Sequence, residues 1–160
     1  MTPDFLSLLT RLNKEGVKFV IIGGFASVVH GCTLVTQDID ICCEFTPENL
    51  LLLQKAIADL NPVHRMTPEK VKLDLTQENC KNYKNLYLDT YLGQLDCISY
   101  VQGIGNFEKV TKLSQIIEAE YLKFHVLTID ALIDAKKAMN RPHDHEAIVQ
   151  LKAIKNSPKS

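Results

Sequence analysis

The sequence predicts an α/β fold, and three observations carry that prediction. The apolar run Val17–Ile22 is long enough for one strand, too short for a buried helix, and stops at Gly23-Gly24. Apolar and polar residues alternate again at 37–43, 86–91 and 94–99, the period of a strand with one buried face. Between and after these runs lie stretches with helical spacing, opened by capping residues or prolines.

The length, 160 residues, suits a single domain over 1–160, with a core over about 1–127 and C-terminal helices over about 128–155. At 46% apolar residues a chain of this size can bury a core without staples. A formal net charge of −1 supplies no general attraction to nucleic acid or to an anionic membrane. No stretch approaches the roughly 20 apolar residues of a membrane span. Asp4 and Arg11 interrupt the first apolar stretch, so a signal peptide is not expected and the protein reads as cytoplasmic. The five cysteines include no Cys-x-x-Cys pair, which argues against zinc and for reduced thiols.

In chain order, residues 2–15 predict a helix, with Thr2 as cap, Pro3 in the first turn, and Phe5, Leu8, Leu9 and Leu12 as its apolar stripe. Strand 17–22 follows, then a short helix with Phe25, Val28 and Val29 on one face and Gly31 at its end. Strand 37–43 is succeeded by a helix opened by Thr46-Pro47, burying Leu50, Leu53, Ile57 and Leu60 and stopped by Asn61-Pro62. Residues 63–84 carry the weakest pattern; Val71, Leu73 and Leu75 alternate as a short strand would. Runs 86–91 and 94–99 form a hairpin around Leu92-Gly93. A glycine-bearing loop at 103–107 and a short helix precede strands at 114–121 and 122–127. Thr128 caps a helix that buries Ile129, Leu132 and Ile133, and a last helix starts near Pro142 with Ile148, Leu151 and Ile154 as its stripe.

Chemistry concentrates at Gly23-Gly24 and Asp38-Ile39-Asp40. Carboxylates two apart on a strand share a face, with Cα atoms about 6–7 Å apart. Such a pair can converge on one hard cation, and oxygen-only ligands suit Mg²⁺ or Mn²⁺. Glycines at the end of the preceding strand allow backbone N–H groups to approach a phosphate. An Asp-x-Asp is equally the solvated face of an edge strand. Two aspartates inside a β-branched run nevertheless run against strand preference and ask for a reason.

Gly23-Gly24-x-Ala26-x-x-x-His30-Gly31, followed by Thr36-x-Asp38-x-Asp40, resembles the polymerase-β-type nucleotidyltransferase superfamily. Within it the pattern is similar to the small bacterial branch of abortive-infection-type toxins and aminoglycoside nucleotidyltransferases. Leu132-Ile-x-x-Lys136, followed by Arg141-Pro142-x-Asp144, resembles a second motif of the same family. The resemblance implies a small mixed sheet with helices packed on one face and a helical C-terminal extension. It implies transfer of NMP from an NTP to an acceptor hydroxyl with release of pyrophosphate. It assigns two divalent ions to Asp38, Asp40 and a third carboxylate on a nearby strand. Asp96, between Leu95 and Cys97, is that third acid in preference to Asp89 or Asp74, and would also help deprotonate the acceptor. Gly23, Gly24, Thr36, Lys136 and Arg141 are assigned to the nucleotide, with Lys136 reaching outward from its helix to the phosphates. His30 is expected to order its helix end and not to act as a base.

Leu34 stands where family members often carry Arg, which removes one phosphate or acceptor contact. The acceptor stays open between RNA, protein and a small molecule, and a protein partner of a toxin–antitoxin pair belongs to the same expectation. A catalytically silent binding module, such as an antitoxin or a nucleotide sensor, is the alternative.

Overall fold

A computed structural model describes residues 3–119 and 122–157; of Ala119 only the backbone is described. The expected cap Thr2, and residues 120–121 of the expected strand 114–121, lie outside the described residues. The first helix, α1 (Phe5–Lys14), starts later than its pattern suggests, because Asp4 caps it: the carboxylate accepts from the Ser7 N–H at 3.0 Å. Pro3 therefore precedes the cap.

β1 (Phe19–Ile22) leads into α2 (Gly23–Val29), and β2 (Asp38–Cys43) runs back beside β1 with Ile22 opposite Asp40. In α2 the fully buried residues are Ala26 and Ser27; Phe25 and Val29 are half-buried, so the helix is rotated from the expected face. Phe25 meets Phe5 edge-on at 5.2 Å between centroids, which ties α2 to α1. α3 (Pro47–Ile57) is capped by Thr46 and buries Leu50, Leu53 and Ile57 as its spacing predicts. Its Asn49 is buried and clamps the outer ends of β1 and β2, bonding Lys18 N–H, Lys18 O and Glu44 O at 2.8, 3.0 and 2.9 Å.

The weakly patterned segment holds a two-residue strand, β3 (Val63–His64), and the expected strand at 71–75 is reduced to a single antiparallel bridge, Lys72 opposite Val63, with the His64 N–H donating to the Val71 carbonyl at 2.8 Å and the Leu73 N–H to the Pro62 carbonyl at 2.9 Å. Leu73 and Leu75 are buried, but Val71 is 52% exposed, and the Gln54 side chain takes both backbone groups of Leu75 that a neighbouring strand would otherwise bond. β4 (Asn85–Thr90) and β5 (Gly93–Ile98) form the expected hairpin. A small hairpin of β6 (Tyr100–Val101) and β7 (Gly105–Asn106) precedes α4 (Phe107–Lys112). β8 (Ser114–Ala119), β9 (Leu122–Leu127), α5 (Ile129–Met139) and α6 (Pro142–Lys155) complete the described elements.

The described sheet is mixed, in the order β3-β4-β5-β2-β1-β9-β8, with β2 parallel to β5 and β1 parallel to β9. The register sorts its two faces. Ile21, Ile39, Ile41, Leu86, Leu88, Leu95 and Cys97 share one face and are essentially inaccessible. The opposite face carries Asp38, Asp40, Asn85, Tyr87 and Asp96. The core thus lies behind the strands that hold the aspartates, and rigid strands present those acids to the other side. No helix among the described residues is long and apolar enough to cross a membrane.

Candidate active site

β2 lies inside the sheet, not at its edge, so Asp38 and Asp40 are not the solvated face of an edge strand. Asp40 is the register partner of Asp96 on β5. Asp38, Asp40 and Asp96 each offer one oxygen, and those oxygens all lie within 4.8 Å of one another. Burial, followed by the charges of Asp38 and Asp96, pushes the Asp40 carboxyl up to about 7. The Asp38 carboxyl is pushed up as well, by burial and then by Asp96. The rival acids do not join them: Asp89 pairs with Lys70 at 3.5 Å, and Asp74 is exposed.

Gly23 adopts φ 70°, and a Cβ on it would fall within contact distance of Asp40 Oδ2 and 3.0 Å from Asp40 Cβ. Glycine is required there both by its backbone angle and by the room Asp40 needs. Gly24 lies against Thr36 instead. The Thr36 hydroxyl donates to the Asp38 carbonyl at 2.7 Å and fixes the chain where it enters β2. Leu34 packs against the core. His30 Nε2 donates to the Leu127 carbonyl at 2.8 Å, joining the end of α2 to β9 as expected of a helix-ordering residue.

The three aspartates and Gly23 line a cavity of about 630 Å³. Its other walls are apolar and aromatic from Tyr87, Ile98, Tyr100 and Met139, cationic from Lys136 and Arg141, and polar from Asn85 and Gln102. Leu132, Lys136 and Arg141 thus line the same cavity as Gly23. Lys136 is not the outward-reaching side chain its position on a solvated face would make it. It is 7% exposed, with Nζ 3.6 Å from Asp144 Oδ1. Arg141 grips the same carboxylate with Nε and Nη2 at 2.7 and 3.1 Å. Burial raises the Asp144 carboxyl, but the Arg141 hydrogen bond and charge, then Lys136, outweigh it and hold it below the ordinary carboxylate value.

One residue of the site has no counterpart in the sequence reading. Arg65, just past β3, binds Asp96 with both guanidinium nitrogens: Nη1 pairs with Oδ1, and Nη2 with Oδ2 at 3.0 Å. Its backbone N–H donates to the Tyr87 carbonyl at 2.8 Å, and its Cζ lies 5.8 Å from the centre of the Tyr87 ring. Arg65 sits in the segment with the weakest periodicity, and no motif marks it. All five cysteines are buried and unpaired, and burial pushes the Cys42 thiol up to about 12, so it is no nucleophile.

Neither a protein-family model nor a curated protein sequence matches the chain. Solved structures do. The lincosamide antibiotic adenylyltransferase LnuA, bound to lincomycin, superposes with a TM-score of 0.63 at 16% identity, covering 96% of this chain and 99% of that one. TM1012 from Thermotoga maritima, assigned as a nucleotidyltransferase, superposes with a TM-score of 0.57 at 15% identity, covering 93% and 90%. ANT(2'')-Ia in complex with adenylyl-2''-tobramycin superposes with a TM-score of 0.54 at 16% identity, covering 94% and 91%. The chain has the fold of these nucleotidyltransferases.

Proposed function

We propose that the protein is a metal-dependent nucleotidyltransferase that moves NMP from an NTP to an acceptor hydroxyl and releases pyrophosphate. The observation that carries this reading is the convergence of Asp38, Asp40 and Asp96 on one wall of a cavity that also holds Lys136 and Arg141. The donors are three carboxylates from strands, a hard oxygen set that fits Mg²⁺ or Mn²⁺ and not a thiophilic metal. Asp38, Asp40 and Asp96 would hold the ions. Bound there, such ions supply charge neutralisation on the triphosphate.

The chain's own residues would do the rest. Gly23 lets the backbone approach the phosphates, and Thr36 keeps Asp38 in register. Lys136 would add a point charge toward the phosphates from α5, while Arg141 holds Asp144 and so the junction of α5 and α6. Asp96 would take the acceptor proton once Arg65 releases it. No protein nucleophile is required.

The acceptor we favour is a small hydroxylated molecule. LnuA and ANT(2'')-Ia are shown with small molecules, lincomycin and an adenylylated tobramycin. The apolar and aromatic cavity wall suits a compact organic acceptor. Among the described residues the cavity lining carries two cations, Lys136, assigned to the triphosphate, and Arg141, which holds Asp144, and that leaves little to neutralise an RNA backbone. The Arg65 grip on Asp96 is the specific observation in favour of a silent nucleotide-binding module.

Labelled NTPs with Mn²⁺, incubated with lincosamides, aminoglycosides, RNA or cell protein, test the reading. Transfer to a small molecule, lost in Asp40→Ala, is the expected result. Binding of NTP without transfer to any acceptor class supports the silent module. Near-normal turnover in Asp40→Ala overturns the site.

A further inference from the structure

We propose that Arg65 is a built-in counter-cation that competes with divalent ions for Asp96, so that Arg65 sets the metal affinity of the three-aspartate site. This rests on the metal-site reading above and goes beyond it, because that reading needs only the three acids.

Three carboxylates within 4.8 Å of one another repel unless a positive charge stands among them. Among the described residues Arg65 is the cation in direct contact. Lys136 and Arg141 are held by Asp144 instead. The contact is the fork-to-fork kind, in which both carboxylate oxygens are engaged at once. Asp96 is 7% exposed, so water cannot take over the role of the guanidinium. An ion shared by the three acids needs an Asp96 oxygen that Arg65 now holds. It would also bring a second cation close to the first.

Arg65 has an alternative place to go. Asp89 lies on the same face of β4 as Tyr87, two residues on, and its negative charge already acts on the Arg65 guanidinium. The present partner of Asp89 is Lys70, whose side chain is 63% exposed and readily displaced. The Tyr87 ring flanks Arg65 and would stay beside it during such a swing. The backbone of Arg65 is fixed by the Tyr87 carbonyl, so the movement belongs to the side chain alone.

The test is Mn²⁺ binding to the full chain without nucleotide, by calorimetry, together with the melting temperature in chelator. Arg65→Gln should bind Mn²⁺ about tenfold more tightly, or better, since it loses the competing charge. It should also melt below the wild type in chelator and recover more on adding Mn²⁺. Arg65→Lys, which keeps the charge but cannot grip both oxygens, should lie between the two and serves if Arg65→Gln does not fold. Unchanged or weaker Mn²⁺ binding in both variants overturns the proposal and leaves Arg65 a structural partner of Asp96. Adding Asp38→Asn/Asp40→Asn to wild type and to Arg65→Gln separates the two levels. Mn²⁺ binding that survives those substitutions, or its absence from every protein, overturns the metal-site reading and this proposal with it.

Discussion

Asp40 and Asp96 stand directly side by side on parallel strands, β2 and β5, and both point to the cavity face of the sheet. Neighbouring strands are about 4.8 Å apart, and like charges placed opposite each other at that spacing destabilise a sheet. Asp38 adds a third acid to the same cluster. The protein therefore carries a local repulsion that Arg65 offsets in part at Asp96 and that a divalent cation would relieve further.

Mn²⁺ or Mg²⁺ should raise the melting temperature. At a hundred times the dissociation constant the gain is about 2.7 kcal/mol. Asp38→Asn/Asp40→Asn should abolish that gain and raise the melting temperature in chelator, because the repulsion is gone. Scanning fluorimetry with and without Mn²⁺ checks both; a wild type that ignores Mn²⁺ contradicts the expectation.

Stability without divalent ions should fall as pH rises through the range from about 4 to about 7. Asp40 titrates at about 7 when folded against an ordinary value of 3.8, chiefly because it is buried. In that window the folded state keeps a proton the unfolded chain has lost, so the folded form is favoured at the acid end. Asp144 acts in the opposite sense: held low, it stabilises above the ordinary carboxylate value and loses that contribution as pH falls below it. Asp40→Asn should flatten the slope between about pH 4 and about pH 7, measured by thermal melts in chelator. An unchanged slope assigns it to other groups.

Gly23→Ala and Gly16→Ala form a matched pair. Both glycines have positive φ, 70° and 75°, so both substitutions carry backbone strain of about 1–2 kcal/mol. Only at Gly23 does the added methyl collide with Asp40; at Gly16 it meets open space. Gly23→Ala should thus lose the Mn²⁺-induced stabilisation, and Gly16→Ala should keep it. Equal Mn²⁺ responses would show that Asp40 tolerates the displacement.

Lys136→Ala should lower stability by about 1–3 kcal/mol, since it strips one partner from a buried carboxylate that retains Arg141. If Lys136 also serves the phosphates, kcat/KM for NTP falls by about 10- to 150-fold, the value of a charge-assisted hydrogen bond. Lys137→Ala, on the exposed side of α5, should change neither. Loss of stability with unchanged kcat/KM would make Lys136 a purely structural partner of Asp144.

Local pattern determined much of this molecule. A period of two places Asp38 and Asp40 on one face whatever lies beside them, and it marks both strands of the 85–98 hairpin. Thr46 and Thr128 cap their helices by bonds that reach three residues, so their neighbours in sequence suffice to read them. Tertiary structure decided what depends on distant partners. That Asp40 meets Asp96 follows from parallel pairing of β2 with β5, which no local pattern encodes. Val71–Leu75 alternates like a strand and pairs with β3 around Lys72, but Gln54 from α3 takes the backbone of Leu75, so packing cuts the strand short. Lys136 sits on its helix as a surface lysine would, and only the return of α6 buries it against Asp144. Arg65 is the clearest case: an unmarked residue in a weakly patterned segment becomes the ion partner of Asp96 because β3 pairs with β4 and β4 with β5. Charge pairs form between side chains brought together by register, and register is a property of the whole sheet.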